Sequence, residues 1–432
     1  MKKVFLVMIG MILISQNTFA TTLSEALLQA YINNPELNAE RENIKVSKED
    51  LNISRSEFLP TVTVSSSRSK ENTEKLTNRS GANSSFTDVD PKTQSLIIEQ
   101  KLFQGFSGIA EMQKSKIGLS LADAKLLKTE QEILYKAVEA YSGLVFSLEK
   151  LKINERNVSL LERQVETDQA RLERAQITLA DLAQSESSLA GAQAKFIQAK
   201  NETITSKLFY EKIIGPIVNM DNLNKISDLN FVIPENLNKA IETSKKNNPD
   251  LIIAKLDYEQ SKKDVIIARS DFSPSATLSL SSTKTDDTSS TINERDKEIA
   301  KATISWPIFK GGKSSALLNK SKNLQNRKKL LFDNAIKTND TSVASAWSNL
   351  QSSKSLLNSV NSQVKAAEIA NEGITIEYES GLGRSTLDVI QSNSILLTAK
   401  TSLAESERNY LLSQFKLLQL IGLLKNDYLK LK

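Results

Sequence analysis

The chain has 432 residues, 39% of them apolar and 25% charged, with a net charge of +5; that is enough apolar material for a packed core and too weak a charge bias for a nucleic-acid surface. It contains no histidine and no cysteine, which excludes Cys/His metal sites, thiol nucleophiles, Ser-His-Asp triads, disulfides and lipid attachment through an N-terminal cysteine. No arrangement of carboxylates resembles a catalytic site, so the sequence points to no enzyme, no cofactor and no metal.

In chain order, residues 1–20 come first: "MKKVFLVMIGMILISQNTFA" has a basic start at Lys2 and Lys3, an apolar run from Val4 to Ile14, and Thr18-Phe19-Ala20 at its end. This reads as a secretory signal cut after Ala20, because the apolar run is too short to span a bilayer. Loss of Lys2 and Lys3 leaves a charge of +3. Downstream, no run approaches the ~18 apolar residues of a membrane helix, and the best candidate, "YLLSQFKLLQLIGLL", is broken by Lys416. An exported chain of this kind enters a membrane only as β-strands.

The next segment occurs twice. Leu23–Pro60 and Leu237–Pro274 align without a gap and share 14 of 38 residues. In both copies an "NNP" places an N-cap asparagine (Asn34, Asn248) before a proline at the first helical position (Pro35, Pro249), predicting helices that end near Arg55 and Arg269. Strand candidates follow each helix. "PTVTVSSSRS" and "TQSLIIEQKLF" flank a polar loop that includes "NRSGANSSFTDVD"; "PSATLSLSSTK" and "EIAKATISWPIF" flank one that includes "TDDTSSTINE". In the last strand Ala300, Ala302, Ile304, Trp306 and Ile308 alternate with Lys301, Thr303 and Ser305. That is the length and pattern of an outer-membrane strand, with Trp306 suited to an interfacial aromatic belt. Hairpins on a soluble domain share the pattern.

Glycines then end the strands, at "LFQGF" and "IFKGGK", and open two long proline-free stretches. The spacing predicts rods from about Phe106 to about Glu173 and from about Lys313 to about Ser380, each roughly 100 Å long at 1.5 Å per residue. Their apolar seams, Leu134, Val138, Tyr141, Val145 and Leu148 in one and Leu357, Val360, Val364 and Ala367 in the other, advance by threes and fours as in coiled coils. Shorter return helices are expected from about Leu182 to Ile213 and from about Val389 to Leu424. One hairpin per repeat gives four strands, too few to close a barrel. Since open edges cannot sit in lipid, the barrel has to be shared, and three chains would supply about twelve strands.

The order and spacing of these features resemble TolC-type outer-membrane efflux channels over essentially the whole mature chain. The resemblance rests on the doubled unit and the strand exits "LFQGF" and "WPIFKGG". It rests too on the turn segments "TLADLAQSESSLAGAQ" and "GLGRSTLDVIQSNSILLTAK", and on the closing "NYLLSQFKLLQLIG". It implies a mainly α fold with β: a TolC-like α/β-barrel, long coiled-coil helices forming a periplasmic tunnel and four transmembrane strands per protomer, twelve in a homotrimer. The chain then divides into the signal peptide (1–20), a first repeat (21–213, hairpin about 60–103), an equatorial linker (214–236) and a second repeat (237–432, hairpin about 274–309). The implied protein sits in the outer membrane, reaches into the periplasm and contacts outer-membrane lipid. It is the passive gated exit duct of a tripartite efflux pump, of a type I protein secretion system, or of both. Its partners are a periplasmic adaptor (membrane fusion) protein and an inner-membrane pump or ABC exporter. The rival reading is an exported periplasmic coiled-coil structural or adaptor protein without a pore.

The resemblance also implies a gate at the periplasmic turns. Asp388 and Asp181 match the acidic position of the two turn segments, Thr178 and Ser385 stand three residues before them, and Arg384 matches the basic residue of the second turn, which also carries Gly381 and Gly383. Asp388 side chains converging on one axis would repel and favour cations; the alternative role for both aspartates is to cap the return helices. Three departures stand out: Gln391 and Gln184 replace a second carboxylate, Ala175 stands where the family prefers glycine, and the second turn has one extra residue between Tyr378 and Asp388.

Overall fold

A computed structural model describes residues 22–74, 87–217, 220, 223–225, 231–289 and 291–431. The expected signal sequence, residues 75–86 of the first hairpin loop and parts of the linker 214–236 lie outside the described residues. The first half runs α1 (Leu23–Asn33), α2 (Pro35–Ser56), β1 (Thr61–Arg68), a short pair β2 (Glu71–Thr73) and β3 (Thr87–Val89), β4 (Lys92–Gln104), α3 (Ser107–Glu173) and α4 (Leu179–Ile213). The second runs α5 (Leu237–Asn247), α6 (Pro249–Ser270), β5 (Ser275–Ser289), β6 (Ile292–Ser305), α7 (Lys313–Glu379), α8 (Thr386–Leu420) and a final turn α9 (Asn426–Leu429). α3 and α7 each hold 67 residues and α4 and α8 each hold 35, so the halves match helix for helix from α1–α4 to α5–α8, while β2, β3 and α9 have no counterpart.

The repeated asparagine does two jobs. Asn34 Oδ1 accepts from the amides of Glu36 (3.0 Å) and Leu37 (3.4 Å), satisfying orphan donors at the start of α2. Its Nδ2 donates to the carbonyl of Ile213 (3.3 Å), the last residue of α4. In the other half Asn248 Nδ2 donates to the carbonyl of Leu420 (2.8 Å), the last residue of α8. Each NNP therefore joins the start of one helix to the end of a helix more than 170 residues away.

The main sheet is antiparallel in the order β1-β4-β5-β6. Each half supplies one hairpin, β1 with β4 and β5 with β6, and the β4–β5 pairing joins them. Four boundaries differ from expectation. β6 stops at Ser305 because Pro307 lacks an N–H and restricts the residue before it, so Trp306 and Ile308 stand beyond the strand. α4 and α8 begin at Leu179 and Thr386, three residues earlier than expected, because Thr178 and Ser385 cap them. α8 ends at Leu420 rather than Leu424, where Gly422 turns the chain at φ +78°. The β2–β3 pair was not expected at all.

The chain divides into two compact units, each drawing on both halves. One comprises Met1–Asn38, Thr129–Asn248 and Asp340–Lys432. Its core holds large apolar side chains: Leu23, Leu27, Leu37, Ile133, Leu134, Leu144, Phe415 and Leu418 are completely or almost completely buried. The other comprises Ala39–Lys128 and Pro249–Asn339 and carries the sheet. Its buried apolar residues are few and mostly small, such as Ala110, Ala122, Ala124 and Val265, while Val62, Val64, Leu102, Leu280 and Ile304 remain exposed. A sheet with apolar residues on its surface calls for lipid or further protein to cover it. Among the described residues no helix is long and apolar enough to cross a membrane.

Candidate functional site

The expected gate residues lie in the first unit, where α3 turns into α4 and α7 turns into α8. The first turn closes with the Gln176 amide donating to the Arg171 carbonyl (2.9 Å), while Ala175 takes a left-handed φ of +55°. In the second, the Leu382 amide donates to the Glu377 carbonyl (2.9 Å), and Gly381 and Gly383 supply φ of +72° and +79°. Glycine adopts this conformation without the Cβ clash that a non-glycine residue meets. The second turn thus uses two glycines where the first uses a strained alanine.

Both aspartates complete capping boxes with the N-cap residues of their helices. Ser385 donates its amide and hydroxyl to Asp388 Oδ2 (each 2.9 Å), and its hydroxyl accepts from the Asp388 amide (3.2 Å). The same capping box joins Thr178 to Asp181, with the amide at 2.9 Å and the hydroxyl at 2.7 Å from Asp181 Oδ2. These hydrogen bonds hold both carboxyl groups below the usual carboxylate range. For Asp181 the Thr178 hydroxyl leads, and for Asp388 the Ser385 amide, with a smaller contribution from Arg384. Arg384 itself is held by Glu377, Nε to Oε2 at 2.6 Å, and that hydrogen bond raises its proton affinity.

The most buried polar cluster here was not singled out from the sequence. Asp168 in α3 is fully buried and accepts from Ser185 Oγ of α4, from Gln164 Nε2 (3.0 and 3.1 Å) and from the Tyr378 hydroxyl of α7 (2.7 Å). Tyr378 OH also lies 3.0 Å from Thr386 Oγ1 of α8, so one carboxylate gathers all four helices. Arg171 covers the Tyr378 ring, with its guanidinium carbon 4.1 Å from the centroid, and reaches the Tyr378 carbonyl (3.4 Å). Burial, reinforced by the charge of Asp168, raises the Tyr378 hydroxyl above its ordinary value, so it stays a protonated donor. A signal for this cluster exists in the sequence: Asp168 falls seven residues after buried Leu161, a seam position where a polar group fixes register. In a chain with 51 acidic residues that signal is faint.

Trp306, in the second unit, is 60% exposed, and its indole Nε1 donates to the Phe272 carbonyl (3.0 Å), which leaves the ring outward beside exposed Ile308 and Phe309.

The repeated layout has a counterpart among known proteins. The model of the family "Outer membrane efflux protein" matches residues 26–215 and 240–423. The chain belongs to this family. It is 24% identical over 424 residues to the outer membrane efflux protein BepC of Brucella suis biovar 1, covering 98% of this chain and 90% of that protein. It is 21% identical over 429 residues to the alkaline protease secretion protein AprF of Pseudomonas aeruginosa, covering 98% and 88%. The outer membrane channel CmeC of Campylobacter jejuni has the same fold, with a TM-score of 0.82 at 16% identity over 93% of this chain and 85% of that one. The family is one of channel and transport proteins whose members work with adaptor and pump components. This member is an outer-membrane efflux channel that extends into the periplasm, and the pore-free alternative falls away.

Proposed function

We propose that three copies of this chain close a twelve-stranded barrel and a helical tunnel, the passive exit duct for an inner-membrane pump or ABC exporter coupled through a periplasmic adaptor. One observation carries this: β1 and β6 are the two edges of a four-stranded sheet, and an open edge is not tolerated in lipid. In this reading each repeat, 21–213 and 237–432, gives one hairpin to the barrel, and the linker 214–236 runs between them. The driving energy comes from the partner, since the chain has no GxxxxGK[ST] phosphate-binding loop. Small-molecule efflux and one-step protein secretion both fit such a duct.

In the same reading the turns form the gate. The Asp168–Tyr378 bond and the Arg384–Glu377 pair hold α3, α4, α7 and α8 together at one end, and Asp388 of each copy lines the constriction. The test is single-channel conductance of protein purified from outer membranes, with the mass in detergent measured on the same sample. A trimer giving small, cation-favouring steps is expected, and Arg384→Ala or Asp388→Ala should enlarge them, Asp388→Ala also lowering cation preference. A monomer without conductance would overturn the duct. A conducting trimer indifferent to both substitutions would leave Asp388 and Arg384 as structural residues only.

A further inference from the structure

The chain is a tandem repeat, so a helix contact made once inside it forecasts one between copies. Within one chain α3 packs antiparallel on α6: Lys114 Nζ meets Asp264 Oδ1 at 2.8 Å, and Gln260 Nε2 donates to the Lys114 carbonyl (3.3 Å). Gln260 lies so close that a Cβ on Gly118 would stand 3.3 Å from its Nε2. These helices are neighbours because β4, which leads into α3, pairs with β5, which follows α6. In the other half of the repeat, β6 leads into α7 and β1 follows α2, yet β6 and β1 are the two free edges of the sheet.

The repeat assigns the residues. "QKSKIG" (113–118) corresponds to "NKSKNL" (319–324), so Lys114 corresponds to Lys320 and Gly118 to Leu324. In the doubled segment Asp264 corresponds to Asp50 and Gln260 to Val46. The ionic pair is therefore preserved, and the polar Gln260–Gly118 contact becomes an apolar one. These counterparts stand open in the single chain. Lys320 and Asp50 are exposed and have no side-chain partner among the described residues. Val46 is 57% and Leu324 44% exposed; two turns further along, Ile53 is 65% and Leu317 37% exposed. Positions 46, 50 and 53 share one face of α2, and 317, 320 and 324 share one face of α7.

We propose that the α7 face carrying Leu317, Lys320 and Leu324 docks antiparallel on the Val46, Asp50 and Ile53 face of α2 in a second copy of the chain, with Lys320 paired to Asp50 of the partner subunit. This rests on the oligomeric duct proposed above and names the seam that closes it. An apolar contact on either side of the ion pair shields it from water, so its attraction is screened less than that of an open surface pair.

The chain has no cysteine, so the test is clean in the full-length protein in outer membranes. Val46→Cys with Leu324→Cys, oxidised and run on a non-reducing gel, should give covalent dimer and trimer bands. Val46→Cys with Leu317→Cys, two turns out of register, should give none. Lys320→Glu should reduce the oligomer, and Lys320→Glu with Asp50→Lys should restore it. An unmodified protein of trimeric mass whose in-register cysteines fail to link, or link no better than the displaced pair, would overturn this seam and leave the duct standing. An unmodified protein of monomeric mass would remove both.

Discussion

Tyr378→Phe tests the gate with the least disturbance. The substitution deletes one hydroxyl and keeps the ring beneath Arg171, so packing and the cation–π contact survive. The hydroxyl donates to Asp168 Oδ1 at 2.7 Å and bonds Thr386 Oγ1 at 3.0 Å, at a side chain that is 5% exposed. A buried hydrogen bond to a charged group is worth about 1.5–3 kcal/mol and one between neutral groups about 0.5–1.5 kcal/mol. Asp168 keeps Ser185 and Gln164, so the loss belongs near the low end of the sum, about 2–3 kcal/mol per chain. If opening pulls α7 from α3, that entire amount favours the open state, and at 1.4 kcal/mol per tenfold the open-to-closed ratio rises about 30- to 140-fold for each chain that lets go. The readout is open probability in planar bilayers beside the unmodified channel, with thermal unfolding on the same preparation. An unchanged open probability together with a lowered unfolding temperature would refute the reasoning, because the bond would then persist through opening and serve only to hold the helices.

Other consequences are independent of the gate. Gly422→Ala should destabilise the first unit by more than 1–2 kcal/mol, roughly the left-handed cost alone, because its Cβ would stand 2.2 Å from the Asn247 carbonyl oxygen; a normal unfolding temperature would contradict this. Ala175→Gly should raise stability by a few tenths to about 1 kcal/mol by relieving its positive φ, read as a higher denaturation midpoint. Asp181 and Asp388 have lowered proton affinity in the folded state. Their caps are therefore fully present above the ordinary carboxylate value of 3.8 and weaken as the pH falls below it towards the folded value. Amide protection at the starts of α4 and α8, corrected for the intrinsic exchange rate at each pH, should fall only on acidification below that point. With Trp347→Phe leaving Trp306 alone, its fluorescence in vesicles should be quenched by lipids brominated near the headgroup and not by aqueous iodide; the reverse pattern would place it away from the membrane interface.

Much of this architecture was legible without coordinates, because the signals that set it are local. An asparagine before a proline offers an N-cap and a preset first helical position, so both NNP helices were readable to within a residue of their ends. Threonine or serine three residues before an aspartate builds its own capping box, so Thr178–Asp181 and Ser385–Asp388 could be found by spacing. What spacing leaves open is the far partner. Nothing near Asn34 in sequence indicates that its amide would hold the end of α4, 179 residues on, and nothing near Arg384 selects Glu377 rather than Asp388. Asp168 reads as one more charge on a rod until packing buries it against Tyr378, 210 residues away. A repeated helix–hairpin–helix plan and capped turns follow from short-range sterics and hydrogen bonding, which the sequence encodes residue by residue. Only the tertiary structure decides which carboxylate is taken from water and which stays on the surface, because that choice depends on long-range packing that no local pattern contains.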